Sequence, residues 1–583
     1  MELLTFGALW ENREVEDHLR VRGVFPPGLI LRNLWHDFRV WDGQGSLQSR
    51  LARLPQVEPA TPIGAVEVTC ERGSAGERSY DQHGEPLRVD SYRADGTLLC
   101  RGMPVIVDGQ HRRHHQFFWP DGSASVLLGS AWDFYYLWLD ELIGTDPAII
   151  VNESKTTARF MSRYANPHAT VIHKFHESHL AGEASHDPYK GALVEPHRRI
   201  LPHLDRFDAV VFLTERQRRD VIARFGGGAN LHTITNAGPQ PVQLQRTWFD
   251  HSRRGDRGIV VATLNPLKRL EHAVRAIAEV RGHGLSPTLD VFGRDAGSRA
   301  DIEASIAQTG TQSAITLHGY TVGAAQHFAE ASFSLMTSIT EGQSLVLLEA
   351  MAAGCVPISY DIRYGPSELI VDGETGFLVP AGDLDALAAT LRRFLGLSGR
   401  TLRRLRRQCQ ERVTAFSDDV VFDRWVQVQR AAVTRSTRRL LLTDLAVQRV
   451  EVAEDSDTLT VAAELSACWD ATRWTSEGRP VPEASLLLVG RRTGVPSRLP
   501  MRLQPTVEPG PGAAPPTGFR AFLAFDPQQL GLMEKVNDVY VELACEATAR
   551  RVRLRGEARA SVAGGEIFAT NRGNTSLRAL GRG

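Results

Sequence analysis

The chain has 583 residues, a hydrophobic content of 42% and a net charge of −1, enough for several domains with real cores and without a global field that would draw nucleic acid. Its six cysteines, at 70, 100, 355, 409, 468 and 545, show no CxxC spacing, which argues against zinc and a disulfide scaffold and for a reducing cytosol. The opening Met-Glu-Leu-Leu-Thr-Phe lacks the basic and apolar regions of a signal peptide, and no apolar run reaches the ~18 residues of a membrane-spanning helix.

Residues 1–56 predict a strand over 3–6, a charged helix over 12–23 and a strand over 29–34. Character changes at 57–137. Alternating stretches such as Ala65-Val-Glu-Val-Thr-Cys, with turns at His83-Gly, Asp95-Gly, Asp108-Gly and Asp121-Gly, predict an inserted antiparallel meander. Strand–helix alternation resumes over 138–245 and again over 246–400, so two doubly wound α/β halves are expected, the first split by the insertion. Helices over 401–436 follow. Residues 440–583 are strand-rich, interrupted by the proline-rich stretch after Pro505, and predict a β-sandwich-like accessory domain.

Chemistry concentrates at 341–354, Glu-Gly-Gln-Ser-Leu-Val-Leu-Leu-Glu-Ala-Met-Ala-Ala-Gly. A loop carrying Glu341 enters a helix that Ser344 can cap and Gly354 can terminate. The helix N-terminus offers unpaired N–H groups and a partial positive charge, which suits a phosphate. Glu349 lies along the helix, roughly 7 Å beyond its start. A hexose, a diphosphate and a ribose in a row need hydroxyl acceptors at both ends and N–H donors between, the order this stretch supplies. Lys268, in the turn Leu264-Asn-Pro-Leu-Lys-Arg-Leu after a strand, can hold a diphosphate and stabilise a leaving group. Three histidines stand at spacing three in His173-Lys-Phe-His-Glu-Ser-His179, but no acidic cluster accompanies them as a metal site would require.

With its flanking strands and Tyr364-Gly-Pro-Ser-Glu, the 341–354 stretch resembles the Glu-x7-Glu motif of the retaining GT-B glycosyltransferases of family 4. Within them the chain is similar to the poly(glycerol-phosphate) glucosyltransferases and teichoic-acid N-acetylglucosaminyltransferases. The resemblance implies a GT-B fold and a UDP-sugar donor used without a metal or other cofactor. It puts Glu341 on the donor sugar, Glu349 on the ribose and Lys268 on the diphosphate. Gly342, Gln343 and the backbone N–H groups of Ser344 and Leu345 join the donor set, and His318 and Tyr320 lie near the nucleobase. His176 or His179 takes the reacting face. Thr214, Gln217 and Asn236 match the region joining the halves.

Two features depart from the family. Thr263 stands where Arg-x4-Lys has its arginine, leaving Arg269 or Arg294 to compensate. A first strand–loop–helix unit of roughly 30 residues is expected to be missing before Met1. The expectation is a cytoplasmic retaining transferase moving glucose or N-acetylglucosamine to a hydroxyl of a cell-wall polymer such as teichoic acid. A Ser/Thr-rich protein acceptor and a catalytically silent partner remain alternatives. The basic run Arg400-Thr-Leu-Arg-Arg-Leu-Arg-Arg suits a polyanionic acceptor or the inner membrane face, and the β insertion suits contact between copies of the chain.

Overall fold

A computed structural model describes residues 2–6, 28–39, 50–54, 56–60, 69–73, 76–107, 110–182, 191–225, 228–241, 255–437, 442–469, 482–491, 496–507, 516–530, 535–545, 548–556, 559–570 and 573–580. The chain forms two compact units, Met1–Ala148 with Asn166–Ala169, and Ile149–Ala165 with Thr170–Gly583.

In the first unit, strands Glu2–Thr5 and Ile30–Asn33 pair in parallel, and six antiparallel strands run as a meander from Thr69–Gly73 to Ala124–Leu128. Gly84, Gly96 and Gly122 turn with positive φ beside aspartates whose Oδ1 accepts backbone N–H groups. The meander ends before 137, because Ser130 caps the helix Ala131–Ile143 by accepting from Trp132 N–H. Phe134 of that helix packs on Phe38 and Phe117, with centroids 4.2 and 4.5 Å away. The helix expected over 12–23 and the turn at 108–109 lie outside the described residues.

The second unit holds two parallel sheets. The first comprises β1 (Ala148–Asn152), β2 (Ala169–Lys174), β3 (Ala209–Phe212) and β4 (Leu231–Thr233), in spatial order 4-3-2-1. Helix α1 (Glu215–Phe225) follows β3. The second comprises β5 (Arg257–Val261), β6 (Thr288–Phe292), β7 (Ile315–Gly319), β8 (Phe333–Met336), β9 (Val356–Asp361) and β10 (Phe377–Pro380), in order 7-6-5-8-9-10. Strand order reverses between β5 and β8. In open α/β sheets the crevice at the carboxyl ends of two such strands takes the ligand. Phe333–Met336 is buried at every position because helices cover both faces of its sheet.

Helix α2 (Leu345–Ala352) follows β8, α3 (Gly399–Val413) packs on α2, and α4 (Asp418–Thr437) returns to the first sheet. Val421, Val428 and Ala432 of α4 complete a core with Ile172, Ala209, Val211 and Ile234. No helix among the described residues is long and apolar enough to cross a membrane.

The C-terminal strands, from Leu442–Asp455 to Thr575–Ala579, are antiparallel and share one hydrogen-bonded path. Strand Pro496–Pro505 is its corner: 496–501 pair with 484–489, and 502–505 pair with 519–522. The path encloses Leu459, Leu486, Val541 and Leu577. It meets the first sheet's half through Arg551, whose guanidinium reaches His203 Nε2 at 2.8 Å and lies over the Tyr540 ring.

Gly258 of β5 sits opposite Phe333 of β8, and a Cβ there would stand 2.3 Å from the ring. Gly258→Ala should therefore overpack this core and lower unfolding free energy by ~1–3 kcal/mol. A denaturant melt checks it, and an unshifted midpoint would mean the ring has room to move.

Candidate active site

The β5 strand runs into Thr263–Lys268 and β8 into Thr337–Glu341, so the strand order itself brings Lys268 and Glu341 to one crevice. The two turns are bonded together: Ile339 N–H donates to Leu267 O at 2.8 Å and Thr337 Oγ1 to Lys268 O at 2.9 Å. Lys268 Nζ lies 2.5 Å from Glu341 Oε1, which also accepts from Ser338 Oγ at 2.8 Å. An ammonium and a carboxylate thus stand side by side, both partly exposed. That spacing suits a sugar–phosphate linkage, whose hydroxyl and phosphate sides need opposite partners.

Gly342 passes against the loop after β2. A Cβ on it would lie 2.3 Å from His176 O, so glycine is required for the approach. Gln343 Oε1 accepts Asn236 N–H at 2.6 Å, a second tie between the two sheets' loops. Ser344 occupies the N-cap of α2, but its side chain makes no cap hydrogen bond. This corrects the expected cap: the loop is fixed by Gly342 and Gln343 instead, and Ser344 leaves the first-turn N–H groups to other acceptors. Gly354 ends the helix in the left-handed conformation. Leu345 is exposed at the helix start. Burial pushes the Glu349 carboxyl up, and no ion pair to it occurs among the described residues.

The two candidate histidines part company. His176 is half-exposed, its Nε2 3.5 Å from Glu153 Oε1, and it holds the Glu153 carboxyl down at about 2. His179 is fully buried, stacked on Tyr364 with centroids 5.7 Å apart, and burial brings it down to about 3. A neutral, enclosed imidazole packs the joint, whereas the His176 ring is exposed beside Glu153. His318 Nε2 reaches Asp290 Oδ1 at 2.7 Å while its ring stacks on Phe292, and Tyr320 is 72% exposed. Arg269 takes a left-handed backbone and directs its guanidinium beside Gly382, and Arg294 is exposed. The structure therefore groups Lys268, Glu341, Gly342 and the start of α2, and leaves Arg269 facing elsewhere. No cluster of metal-ligating side chains occurs among the described residues.

Three groups escaped the sequence. Ser338 gave no signal beyond its place before Glu341. Glu368 reaches across to accept Glu215 and Arg216 N–H at 2.9 and 2.7 Å, capping α1 from the other half. Asp220 accepts from Arg363 Nε and Tyr364 OH at 3.0 and 2.9 Å. The Pro366 helix start in Tyr364-Gly-Pro-Ser-Glu was a local signal for the first of these ties; Asp220 had none.

Residues 256–396 match the family model described as glycosyl transferases group 1. That match spans about a quarter of the chain. The chain is 31% identical over 249 residues to the exopolysaccharide phosphotransferase SCO2592 of Streptomyces coelicolor, covering 42% of this chain and 25% of that protein. It is 25% identical to the poly(glycerol-phosphate) alpha-glucosyltransferase of Bacillus subtilis, covering 40% of this chain and 34% of that one. The chain thus spans a quarter to a third of the length of these curated relatives. The crystal structure of TarM superposes with a TM-score of 0.56 at 16% identity, over 73% of this chain and 91% of TarM. That likeness is one of fold, GT-B. Within the matched segment lie Lys268, Glu341 and Glu349; His176 comes from the half before it.

Buried His173 and His179 both sit at about 3, so the unfolded chain takes up their protons first as pH falls below about 6.5. Stability should decline by up to ~1.4 kcal/mol per pH unit for each imidazole between neutrality and pH 4. Melting curves at pH 7, 6 and 5 test this, and His179→Phe should flatten the slope.

Proposed function

We propose that the protein is a retaining hexosyltransferase that moves glucose or N-acetylglucosamine from a UDP-sugar to a hydroxyl of a phosphate-linked cell-wall polymer. The observation that carries the reading is the Lys268–Glu341 pair at the strand-order reversal, beside a helix start that Ser344 does not cap. Glu341 would accept a donor-sugar hydroxyl, Lys268 would face the diphosphate, and the N–H groups of Ser344 and Leu345 would take phosphate oxygens. Glu349, short of counter-charge, suits neutral ribose hydroxyls. His176 would border the transferred sugar. The leaving phosphate takes the acceptor proton, and no metal enters. The acceptor class draws support from the B. subtilis relative, whose name gives poly(glycerol-phosphate) as substrate.

The domain assignment is part of the same reading: residues 1–56 and 138–245 as the acceptor half, 246–400 as the donor half, 401–436 as crossover, 57–137 as the β-rich insertion serving acceptor binding or self-association, and 440–583 as a β-rich accessory domain. Arg403, Arg404 and Arg407 are exposed on α3 and fit a cytoplasmic protein touching an anionic membrane face.

Transfer from radiolabelled UDP-sugars to poly(glycerol-phosphate), with EDTA present, tests the function. Glu341→Gln and Glu349→Gln should each cut transfer at least tenfold in folded protein, since one charge-assisted hydrogen bond contributes about 1.5–3 kcal/mol. Wild-type rates in both would remove the site.

Thr263 leaves the diphosphate one cation short, so Lys268 should matter more than usual. Lys268→Ala should abolish measurable transfer and Thr263→Arg should tighten UDP binding in calorimetry. Silence in both would mean that the crevice does not hold a diphosphate this way.

A further inference from the structure

A groove of about 690 Å³ lies where α1, the end of β4, the Pro366–Leu369 turn and the α3–α4 junction meet. It shares no residue with the donor crevice. Four arginines line it: Arg216, Arg219, Arg412 and Arg424. Its two carboxylates are already committed. Glu368 accepts the first N–H groups of α1, and Glu215 is held at about 2 by Arg218 first, then Thr233 and Arg219. Arg216 and Arg219 have carboxylate partners in Asp361 and Glu215. Among the described residues Arg412 donates to the carbonyls of Leu369 and Glu368 and lies over the Phe416 ring, and no ion pair to Arg424 occurs. Thr235 also lines the groove. It is 6% exposed, and its buried Oγ1 has no hydrogen-bond partner.

A buried hydroxyl without a partner beside two guanidinium groups without a carboxylate is a donor set that lacks its acceptor. We propose that this groove is a second ligand site, for a phosphate group, at the joint between the two halves. Arg424 would supply forked N–H donors, Arg412 the N–H groups of its Nη1, and Thr235 a hydroxyl. The groove is far larger than one phosphate, so the group would belong to a larger molecule. A free phosphorylated metabolite and a phosphodiester segment of a polymer share this chemistry. The lining comes from the acceptor half, the donor half and the crossover helix alike. A ligand here would therefore hold the arrangement in which Glu368 caps α1. By reciprocity it would tighten donor binding, and the donor would tighten it.

The site stands apart from the proposed transferase reading, and calorimetry on the full chain separates the two. Inorganic phosphate and a short poly(glycerol-phosphate) are titrated with and without saturating UDP. We expect phosphate to bind in the presence of UDP, at least as tightly as without it. Arg424→Gln and Thr235→Val should each weaken it at least fivefold while leaving UDP affinity unchanged. Tighter binding of the polymer than of inorganic phosphate, lost in the same variants, would identify the polymer as the source; the converse would identify a free phosphate compound. Displacement of phosphate by UDP would show that it occupies the donor crevice and would overturn the proposal. So would affinities in both variants equal to wild type, or no binding of either probe.

Discussion

The contact of Gly342 with the backbone of residues 176–177 is the constraint on which the site depends. The glycine brings the loop before α2 within van der Waals reach of the loop after β2, with no space for a β-carbon. That approach fixes where Gln343 meets Asn236, where α2 begins, and how far Glu341 stands from the ring of His176. The ties of Glu368 to α1 and of Asp220 to Arg363 and Tyr364 hold the same register from the other side of the joint. None is strong alone, since a partly exposed charged hydrogen bond contributes little. They act together because each is set by the same relative position of two sheets.

Charge in the crevice is balanced locally rather than accumulated. Lys268 is neutralised by Glu341, and Arg269 turns toward Gly382. Thr263 adds no cation. A diphosphate entering here meets amide dipoles and one ammonium that must share its partner. Fixed dipoles cost no reorganisation when charge develops. Such a crevice relies on geometry more than on field strength.

Legibility in the sequence followed the range of the interactions. The strand runs, the turn carrying Lys268 and the glutamates at 341 and 349 are encoded within a few residues of each other, and their placement at one end of a parallel sheet follows from the alternation. Ser344 reads as a cap because local chemistry permits it; packing of neighbouring Gly342 and Gln343 decides otherwise. His176 and His179 are the same residue type at helical spacing, and the rings of Tyr364 and Phe225, both distant in sequence, mark out the buried one. Glu368 and Glu215 stand 153 positions apart, so no window of sequence contains that cap. The start of the helix at Ala131 was hidden by the apolar, aromatic content it shares with the strands before it.

The return of α4 to the first sheet has a consequence for synthesis. The core of the first sheet that contains Ile234 is finished by Ala432. At a ribosomal rate of about 5–20 residues per second, that sheet waits on the order of 10–40 s for its covering helix. The second sheet, whose strands and helices are contiguous between β5 and α3, has its core residues within reach in the meantime. Order of folding is thus inverted relative to order of translation, and the apolar face of β2 and β3 is the surface a nascent-chain chaperone would meet.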